Sequence, residues 1–148
     1  MNVDEVKKWL NRAYKIDELI QIDKRKLEEL ATVAPCIPIS EKVQTSKKLS
    51  ANFENKVFKI DEQRRKLNNR IVERYNIKME IDEAINSVSD NEIVQVLDYR
   101  YLQFLKFRDI ASVCYMSVGK VQHLHDKGIT LLTCIVEKIQ NEQDNVLY

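Results

Sequence analysis

Glycine and proline are scarce in this chain, and this scarcity constrains the fold more than any other feature of the sequence. The 148 residues include two glycines and two prolines, whereas average usage is roughly 7% for glycine and 5% for proline. β-sandwiches and barrels need these residues in their many turns, and phosphate-binding loops need glycine. The composition therefore argues against such folds and predicts an all-α protein built from long helices.

Charged side chains are abundant but nearly balanced: 24 Lys and Arg stand against 23 Asp and Glu, for a net charge of +1. The chain is therefore not a simple polycation that binds nucleic acid through bulk charge. No apolar run reaches the roughly 20 residues of a membrane span, and the first 20 residues contain four acidic side chains, which is unlike a secretory signal. Three cysteines without a C-x-x-C pair predict reduced, mostly packed thiols. We therefore expect a cytoplasmic protein with no membrane partner.

Apolar spacing separates an N-terminal helical part from a C-terminal part. The pattern predicts a first helix over residues 3–33, a polar connector over 35–50 with Pro35 and Pro38, and a long helix over 51–88. The long helix cannot bury its apolar stripe alone, so its partner is either the first helix, folded back as an antiparallel hairpin, or a second chain. Residues 1–88 are thus predicted to form a helical hairpin or coiled coil that assembles.

The long helix carries a seven-residue repeat, and eleven of its positions form two columns. This pattern is typical of a coiled coil and predicts a dimer or higher oligomer. Basic residues interrupt the seam at Arg64, Arg74 and Lys78; they either fix the register against acidic residues of the facing helix or extend to the rim of a looser bundle. The residues expected to mediate self-association are Phe53, Val57, Ile60, Leu67, Ile71, Ile81 and Ile85.

The last third of the chain begins with a capping box in which Ser89 caps a helix and Glu92 reaches back to it. Three shorter helices are predicted from there, over residues 90–103, 107–114 and 118–133. Residues 89–136 are expected to form one domain, and residues 137–148 a polar tail.

The stretch 107–133 predicts a helix-turn-helix. Ile110 and the small Ala111 lie on a supporting helix, a short turn follows at 114–116, and Ser117 is a good N-cap for the next helix. Val121 and Leu124, followed by Gly128 or Ile129, fall on the inward face of that second helix. Any small helical domain can show this spacing, so the spacing alone leaves a purely structural interpretation open.

The outward face of the second helix and the cations around it are candidates for contacts with double-stranded DNA. Lys120 and Gln122 suit phosphate or base edges, Val118 suits a thymine methyl group, and the helix N-terminus suits a phosphate. Residues 106–133 also carry four Lys or Arg against two Asp. The predicted DNA-binding residues are Ser117, Val118, Gly119, Lys120, Gln122, His123, Lys127, Lys106 and Arg108.

Residues 99–129 resemble the fourth conserved region of sigma factors. The resemblance lies in Tyr99-Arg100-Tyr101, Asp109-Ile110-Ala111, Ser117, Val121, Leu124 and Ile129. Over about residues 3–131 the chain also resembles the RinA/ArpU-type phage transcriptional regulators, through Val6-Lys-Lys-Trp-Leu10, Ile16-Asp-Glu-Leu-Ile20, Glu41-Lys-Val-Gln-Thr-Ser46 and Val121-Gln-His-Leu-His125. The resemblance implies a sequence-specific DNA-binding regulator of phage or prophage late genes in a bacterial host cell. Host RNA polymerase is a further partner that it suggests.

The chain departs from these patterns at three places. Tyr115 stands where a turn glycine is usual, and Gly128 where a packing alanine is usual. Val118 and Gly119 replace charged base-contacting residues, so this helix has fewer hydrogen-bonding side chains than its relatives.

Other functions are less well supported by the sequence. No nucleophile elbow, Gly-rich loop or convergent acid pair predicts catalysis, and no cofactor is expected. His123 and His125 are two apart on a helix and point in different directions, so no metal site is expected and His125 is interpreted as a packed or capping residue. A DNA-packaging adaptor like a small terminase subunit is the main alternative, although such adaptors usually place the DNA-binding domain first. A sigma-like module that binds RNA polymerase is the other.

Overall fold

The computed structural model describes residues 1–33 and 47–146, and every element in these ranges is helical. The elements are α1 (Val3–Leu10), a 3-10 turn (Asn11–Ala13), α2 (Ile16–Val33), α3 (Lys47–Asn86), α4 (Asn91–Tyr101), α5 (Phe107–Cys114) and α6 (Val118–Val146). This confirms the all-α prediction. Most of the predicted connector, with Pro35, Pro38 and the motif 41–46, lies outside the described residues, and the chain is helical again from Lys47.

Contacts divide the chain into two compact units. The first, here called the core unit, combines Met1–Ile16 with Asn76–Tyr148, and the second, the two-helix unit, comprises Asp17–Tyr75. The expected boundary at residues 88 and 89 therefore differs from the observed division. The N-terminal residues and the end of α3 belong with the C-terminal helices.

Helix α6 is the centre of the core unit, because α1, α4 and α5 all pack against it. Gly128 marks a tight approach: a Cβ built there lies 2.6 Å from Ile93 Cγ2 and 2.9 Å from Leu97 Cδ1. A glycine at this position thus lets α4 and α6 pack closely. The largest fully buried side chains of the core unit come from five helices: Val6, Leu10, Ile81, Ile85, Ile93, Val96, Leu97, Ile110, Val121, Ile129 and Leu132.

The prediction of one helix over residues 3–33 is wrong. The chain leaves the helical path after Leu10, and Lys15 has a left-handed backbone (φ 55°) before α2 begins at Ile16. Buried positions continue through the break at Leu10, Ala13 and Ile16, so the apolar spacing gave no sign of it. Packing of α1 in the core unit, rather than local propensity, fixes this turn.

Three predicted helix ends also shift. Helix α3 ends at Asn86, and Asp90 rather than Ser89 caps α4, since its carboxylate accepts the Glu92 and Ile93 amide N–H groups. Both residue types are good caps, so the sequence alone does not choose between neighbours. Helix α6 continues to Val146, and the predicted polar tail is helical up to that residue.

In the two-helix unit, α2 and α3 are held together by an apolar seam and a buried carboxylate. Ile20, Leu67 and Ile71 are buried, and Asp23 is only 2% exposed. The Asp23 carboxylate pairs with Arg74, which also donates to the Leu19 carbonyl oxygen at 2.9 Å, and with Arg70 at 3.3 Å. Arg74 thus pairs with an acid of the facing helix, as one of the two interpretations of the seam cations predicted.

A second basic residue of the seam, Arg64, behaves differently. Arg64 pairs with Asp61 three residues earlier on its own helix. It therefore fits the alternative interpretation, in which a long basic side chain extends along the surface.

The residues expected to mediate self-association fall into three groups. Phe53 and Val57 are 41% and 42% exposed, Ile60 is half-buried, and Leu67 and Ile71 are buried within the two-helix unit. Ile81 and Ile85 are fully buried in the core unit of the same chain. The last two are therefore corrected to core residues, because their side chains already pack inside the chain and offer nothing to a second copy.

Candidate nucleic-acid interface

The turn between α5 and α6 spans Tyr115, Met116 and Ser117. Tyr115 ends α5 in a left-handed conformation (φ 55°), and its amide N–H donates to the Ala111 carbonyl oxygen, as does that of Met116 at 3.0 Å. Left-handed residues commonly end helices in this way, but glycine usually takes the position. Ile110 and Ala111 are buried on the supporting helix, as predicted.

Ser117 caps the N-terminus of α6, as the sequence predicted. Its hydroxyl oxygen accepts the Lys120 amide N–H at 3.2 Å, and its carbonyl oxygen accepts the Val121 amide N–H at 3.1 Å. The hydroxyl group keeps its own hydrogen available for donation. The first turn of α6 thus presents a hydroxyl group and unpaired amide N–H groups to solvent, a combination that suits an anion.

The buried and exposed faces of α6 agree with the predicted assignment. Val121, Leu124, Gly128 and Ile129 are all buried, and the two positions left as alternatives for the inward face both belong to it. All nine predicted DNA-binding residues are exposed to solvent: Ser117, Val118, Gly119, Lys120, Gln122, His123 and Lys127 on or next to α6, and Lys106 and Arg108 at the start of α5.

The cations of this surface are only weakly engaged within the chain. Lys120 lies 3.4 Å from a Glu92 carboxylate oxygen, and both side chains are about half exposed (49% and 52%). Exposed pairs of this kind stabilise a fold by only about 0–1 kcal/mol. Lys106, Arg108 and Lys127 form no ion pair with any residue in the described ranges. This surface can therefore exchange its contacts for those of an anionic partner at little cost.

His125 faces the opposite way from His123 and is buried in the core unit, with 4% exposure. Its Nε2 lies 2.8 Å from the Tyr101 hydroxyl oxygen and its Nδ1 lies 3.0 Å from Asp126 Oδ1. Burial lowers the pKa of His125, and the nearby cations Lys7 and Arg100 act in the same direction while Asp126 opposes them. Burial also raises the pKa of Tyr101 to about 12. A neutral imidazole that accepts the tyrosine hydroxyl hydrogen and donates to Asp126 satisfies both contacts.

Two features of this region were not predicted from the sequence. Tyr115 stands where the resemblance places a turn glycine, but the sequence did not predict that its side chain is 97% exposed. A cleft beside His125 is lined by residues of four helices and the loops between them, including Lys7 and Tyr14 near the N-terminus. No sequence pattern joins positions so far apart in the chain.

The described ranges contain neither a metal-ligating cluster nor a membrane-spanning helix. No group of three or more His, Cys, Asp or Glu side chains there is placed to hold a metal ion. No helix among the same residues has both the length and the apolar character needed to cross a membrane. The thiols were expected to be mostly packed: Cys114 is half-buried, Cys134 is exposed, and Cys36 lies outside the described residues.

Comparison with protein-family models, with curated proteins and with solved structures finds no match to this chain. The resemblance to RinA/ArpU-type regulators thus rests on the short motifs quoted above.

Proposed function

We propose that the protein is a sequence-specific DNA-binding transcriptional regulator of phage or prophage genes that acts without catalysis. The observation that carries this proposal is that the first turns of α6 have one buried face and one exposed face. Val121 and Leu124 are buried, whereas Gln122 and His123 are exposed beside basic residues that lack strong partners. A recognition helix needs this combination, because one face must pack while the other reaches base edges in the major groove.

In this proposal the exposed residues divide into two roles. The Ser117 hydroxyl group, the first amide N–H groups of α6 and the cations Lys106, Arg108, Lys120 and Lys127 contact phosphates and position the helix. Gln122 and His123 contact base edges, and Val118 contacts a thymine methyl group. Gly119 has no neighbouring side chain within 4 Å of its Cβ direction, so the backbone there can come close to the DNA.

We also propose that the protein self-associates through the two-helix unit. Phe53 and Val57 remain about two-fifths exposed, and each lies two heptads before a buried residue of its own column, Leu67 and Ile71 respectively. The same unit has a groove of about 760 Å³ with an apolar floor that includes Leu30 and Leu67, and its rim carries both Lys26 and Glu29. A second copy of this chain suits such a groove, since each copy supplies both charges. Two copies would then bind adjacent half-sites and gain affinity.

The DNA-binding proposal is tested by selecting a preferred duplex from a random library and titrating it, beside a random duplex, against salt. Gln122→Ala/His123→Ala should weaken binding to the selected duplex by about 1–3 kcal/mol per lost base contact and leave random DNA unchanged. Lys127→Ala should weaken binding to both duplexes and reduce by about one the slope of the logarithm of the binding constant against the logarithm of the salt concentration. Lys138→Ala, an exposed cation in the later part of α6, serves as the control and should change neither.

Two outcomes contradict the proposal. One is a wild-type protein that selects no sequence above random DNA. The other is a Gln122/His123 double variant that keeps its full preference, since the recognition helix would then lie elsewhere. Footprinting on phage DNA separates the functions further: protection upstream of a late operon supports regulation, and protection at a packaging start favours the packaging alternative. Binding to host RNA polymerase is tested separately by co-purification with and without DNA.

Self-association is tested by light scattering at micromolar concentration. Phe53→Asp/Val57→Asp should shift an oligomer towards the monomer mass, because two charges would have to be buried in the contact. Val72→Asp is the matched control, since Val72 is a similarly exposed apolar residue of α3 outside the two columns. A monomeric wild-type protein, or an oligomer that resists the double substitution, would show that these residues do not form the contact.

A further inference from the structure

A cleft of about 320 Å³ lies in the core unit beside His125, and none of the nine residues proposed to contact DNA lines it. Besides the His125 imidazole, its walls carry four tyrosine or phenylalanine rings and two cations: Tyr14, Tyr101, Phe104, Phe107, Lys7 and Arg100. We refer to it as the aromatic cleft. Its volume is at the lower end of the range of about 300–1,000 Å³ that is typical of small-molecule sites.

The rings of the aromatic cleft include two pairs that meet edge-on. Tyr14 meets Phe104 edge-on, with centroids 5.1 Å apart, and Phe107 meets the His125 ring in the same way at 5.0 Å. Tyr14 is 56% exposed and therefore borders solvent. Rings that are fixed in this way can stack against a planar group at a small cost in side-chain entropy.

The charge of the aromatic cleft is positive and lacks a balancing carboxylate among the described residues that line it. The Arg100 guanidinium lies 4.5 Å from the Phe107 ring centroid and donates to the Leu105 carbonyl oxygen at 3.1 Å. Lys7 is half-buried and has no ion pair within the described ranges. A third cation, Lys15, lies 5.4 Å from the Tyr14 ring centroid. The combined field favours an anion.

Backbone strain is concentrated at the same place. The described chain has three non-glycine residues with positive φ, at Lys15 (55°), Phe104 (58°) and Tyr115 (55°). Phe104 lines the aromatic cleft, and Lys15 contacts the Tyr14 ring that lines it. Each such residue costs about 1–2 kcal/mol, and strain of this kind is often found at ligand sites.

We infer that the aromatic cleft binds a small aromatic anion, a planar ring that carries a phosphate or carboxylate group and is no larger than a mononucleotide. The ring lies among Tyr14, Phe104 and Phe107, and the anionic group is bound by Lys7 and Arg100. This inference does not depend on the proposed DNA binding, since none of these residues belongs to the proposed DNA surface.

The test is isothermal titration of the full-length protein with adenosine 5′-monophosphate and with 4-hydroxybenzoate, which represent the phosphate and carboxylate forms of the ligand. At least one of them should bind. Adenosine and inorganic phosphate should each bind about tenfold or more weakly than the monophosphate if the phosphate form is the ligand, because each lacks one of the two recognised groups. 4-Hydroxybenzyl alcohol, which lacks only the carboxylate, should be similarly weak relative to 4-hydroxybenzoate if the carboxylate form is the ligand.

Lys7→Gln should lower the affinity for the probe by about tenfold or more, which is the usual consequence of losing a charge-assisted contact. Lys8→Gln is the matched control, since Lys8 is the next residue of α1, is exposed and does not line the cleft. Tyr14→Ala is a second variant, at a side chain that is 56% exposed, and it should weaken the binding of the probe as well.

Three results would overturn the inference. The first is that neither probe binds at millimolar concentration. The second is that a probe binds with equal affinity to wild type, Lys7→Gln and Tyr14→Ala. The third is that, in a separate titration with random duplex DNA, both variants weaken the binding of the DNA but not the binding of the probe, which would make the cleft part of a nucleic-acid surface. Because the probe titration contains no DNA, a failure to bind the probes leaves the proposed DNA binding intact.

Discussion

Tyr101 and His125 form a buried hydrogen bond of 2.8 Å between the phenol oxygen and Nε2, with their rings stacked at a centroid distance of 5.7 Å. The contact joins α4 to α6. Because burial lowers the pKa of His125, the imidazole is neutral at pH 7 and accepts the tyrosine hydroxyl hydrogen.

This contact predicts a stability that falls in acid. Below the ordinary histidine value of about 6.5 the unfolded chain takes up a proton that the folded chain does not. The free energy of unfolding should therefore fall as the pH drops below about 6.5, by at most about 1.4 kcal/mol per pH unit for this one group. His125→Gln should flatten the slope between pH 7 and pH 5 in urea unfolding. His123→Gln, which changes an exposed histidine, should not; equal slopes for wild type and His125→Gln would exclude His125 as the source.

The close approach at Gly128 predicts that a single methyl group destabilises the core unit. In Gly128→Ala the new Cβ meets the branched Ile93 side chain at 2.6 Å, a clash that outweighs the gain in helix propensity, for a net loss of about 1–2 kcal/mol. Gly119→Ala, in open space on the same helix, should instead be neutral or stabilise by about 0.5 kcal/mol. Thermal unfolding measures both. A stabilised Gly128→Ala variant would mean that α4 and α6 are farther apart than described.

The left-handed Tyr115 predicts that glycine improves this turn. Tyr115→Gly should raise the free energy of unfolding by about 0.5–1 kcal/mol, because glycine adopts positive φ without steric cost. Tyr115→Ala keeps the strain and removes an almost fully exposed side chain, so it should be nearly neutral. Chemical unfolding of the pair isolates the backbone effect; equal changes for Gly and Ala would assign it to the side chain.

The buried Asp23 predicts unequal effects for its two arginine partners. Arg74→Ala removes the partner that is 21% exposed and leaves the carboxylate with the more exposed Arg70, at a cost of about 2–3 kcal/mol. Arg70→Ala removes a partner that is 45% exposed and should cost no more than about 1 kcal/mol. Hydrogen exchange of the α2 backbone amides measures the loss of stability in each of the two variants. The reverse order would show that Arg70 provides the main contact.

Local features of this fold were predictable because they depend on neighbours in the chain. The bounds of α5, the start of α6 and the Ser117 cap depend on hydrogen bonds within a few residues. The inward face of α6 depends on helical spacing, and Val121 and Leu124 are buried as predicted. Arg74 was identified as a seam residue, although its partner Asp23 was not.

The tertiary structure was needed to show which segment each apolar face packs against. The two columns that contain Ile71, Ile81 and Ile85 run along one helix without interruption, yet Ile71 is buried in the two-helix unit, and Ile81 and Ile85 are buried in the core unit. Apolar spacing predicts that a helix face is buried, but it does not predict which segment covers that face, because the hydrophobic effect has no direction. The same reason explains the break after Leu10, where the spacing continues while the backbone turns.

The sequence by itself determined the helical class, the turn before α6 and the exposed face proposed to contact DNA, since these follow from few breakers, local capping and helical periodicity. Only the tertiary structure decided that α1 packs with α6, that Gly128 lies against Ile93, and that Lys7, Tyr14 and Arg100 surround one cleft. The contacts between α1 and α6 join residues at least 108 positions apart in the chain. They are decided by which apolar faces fit together, and single-chain periodicity carries no information about that fit.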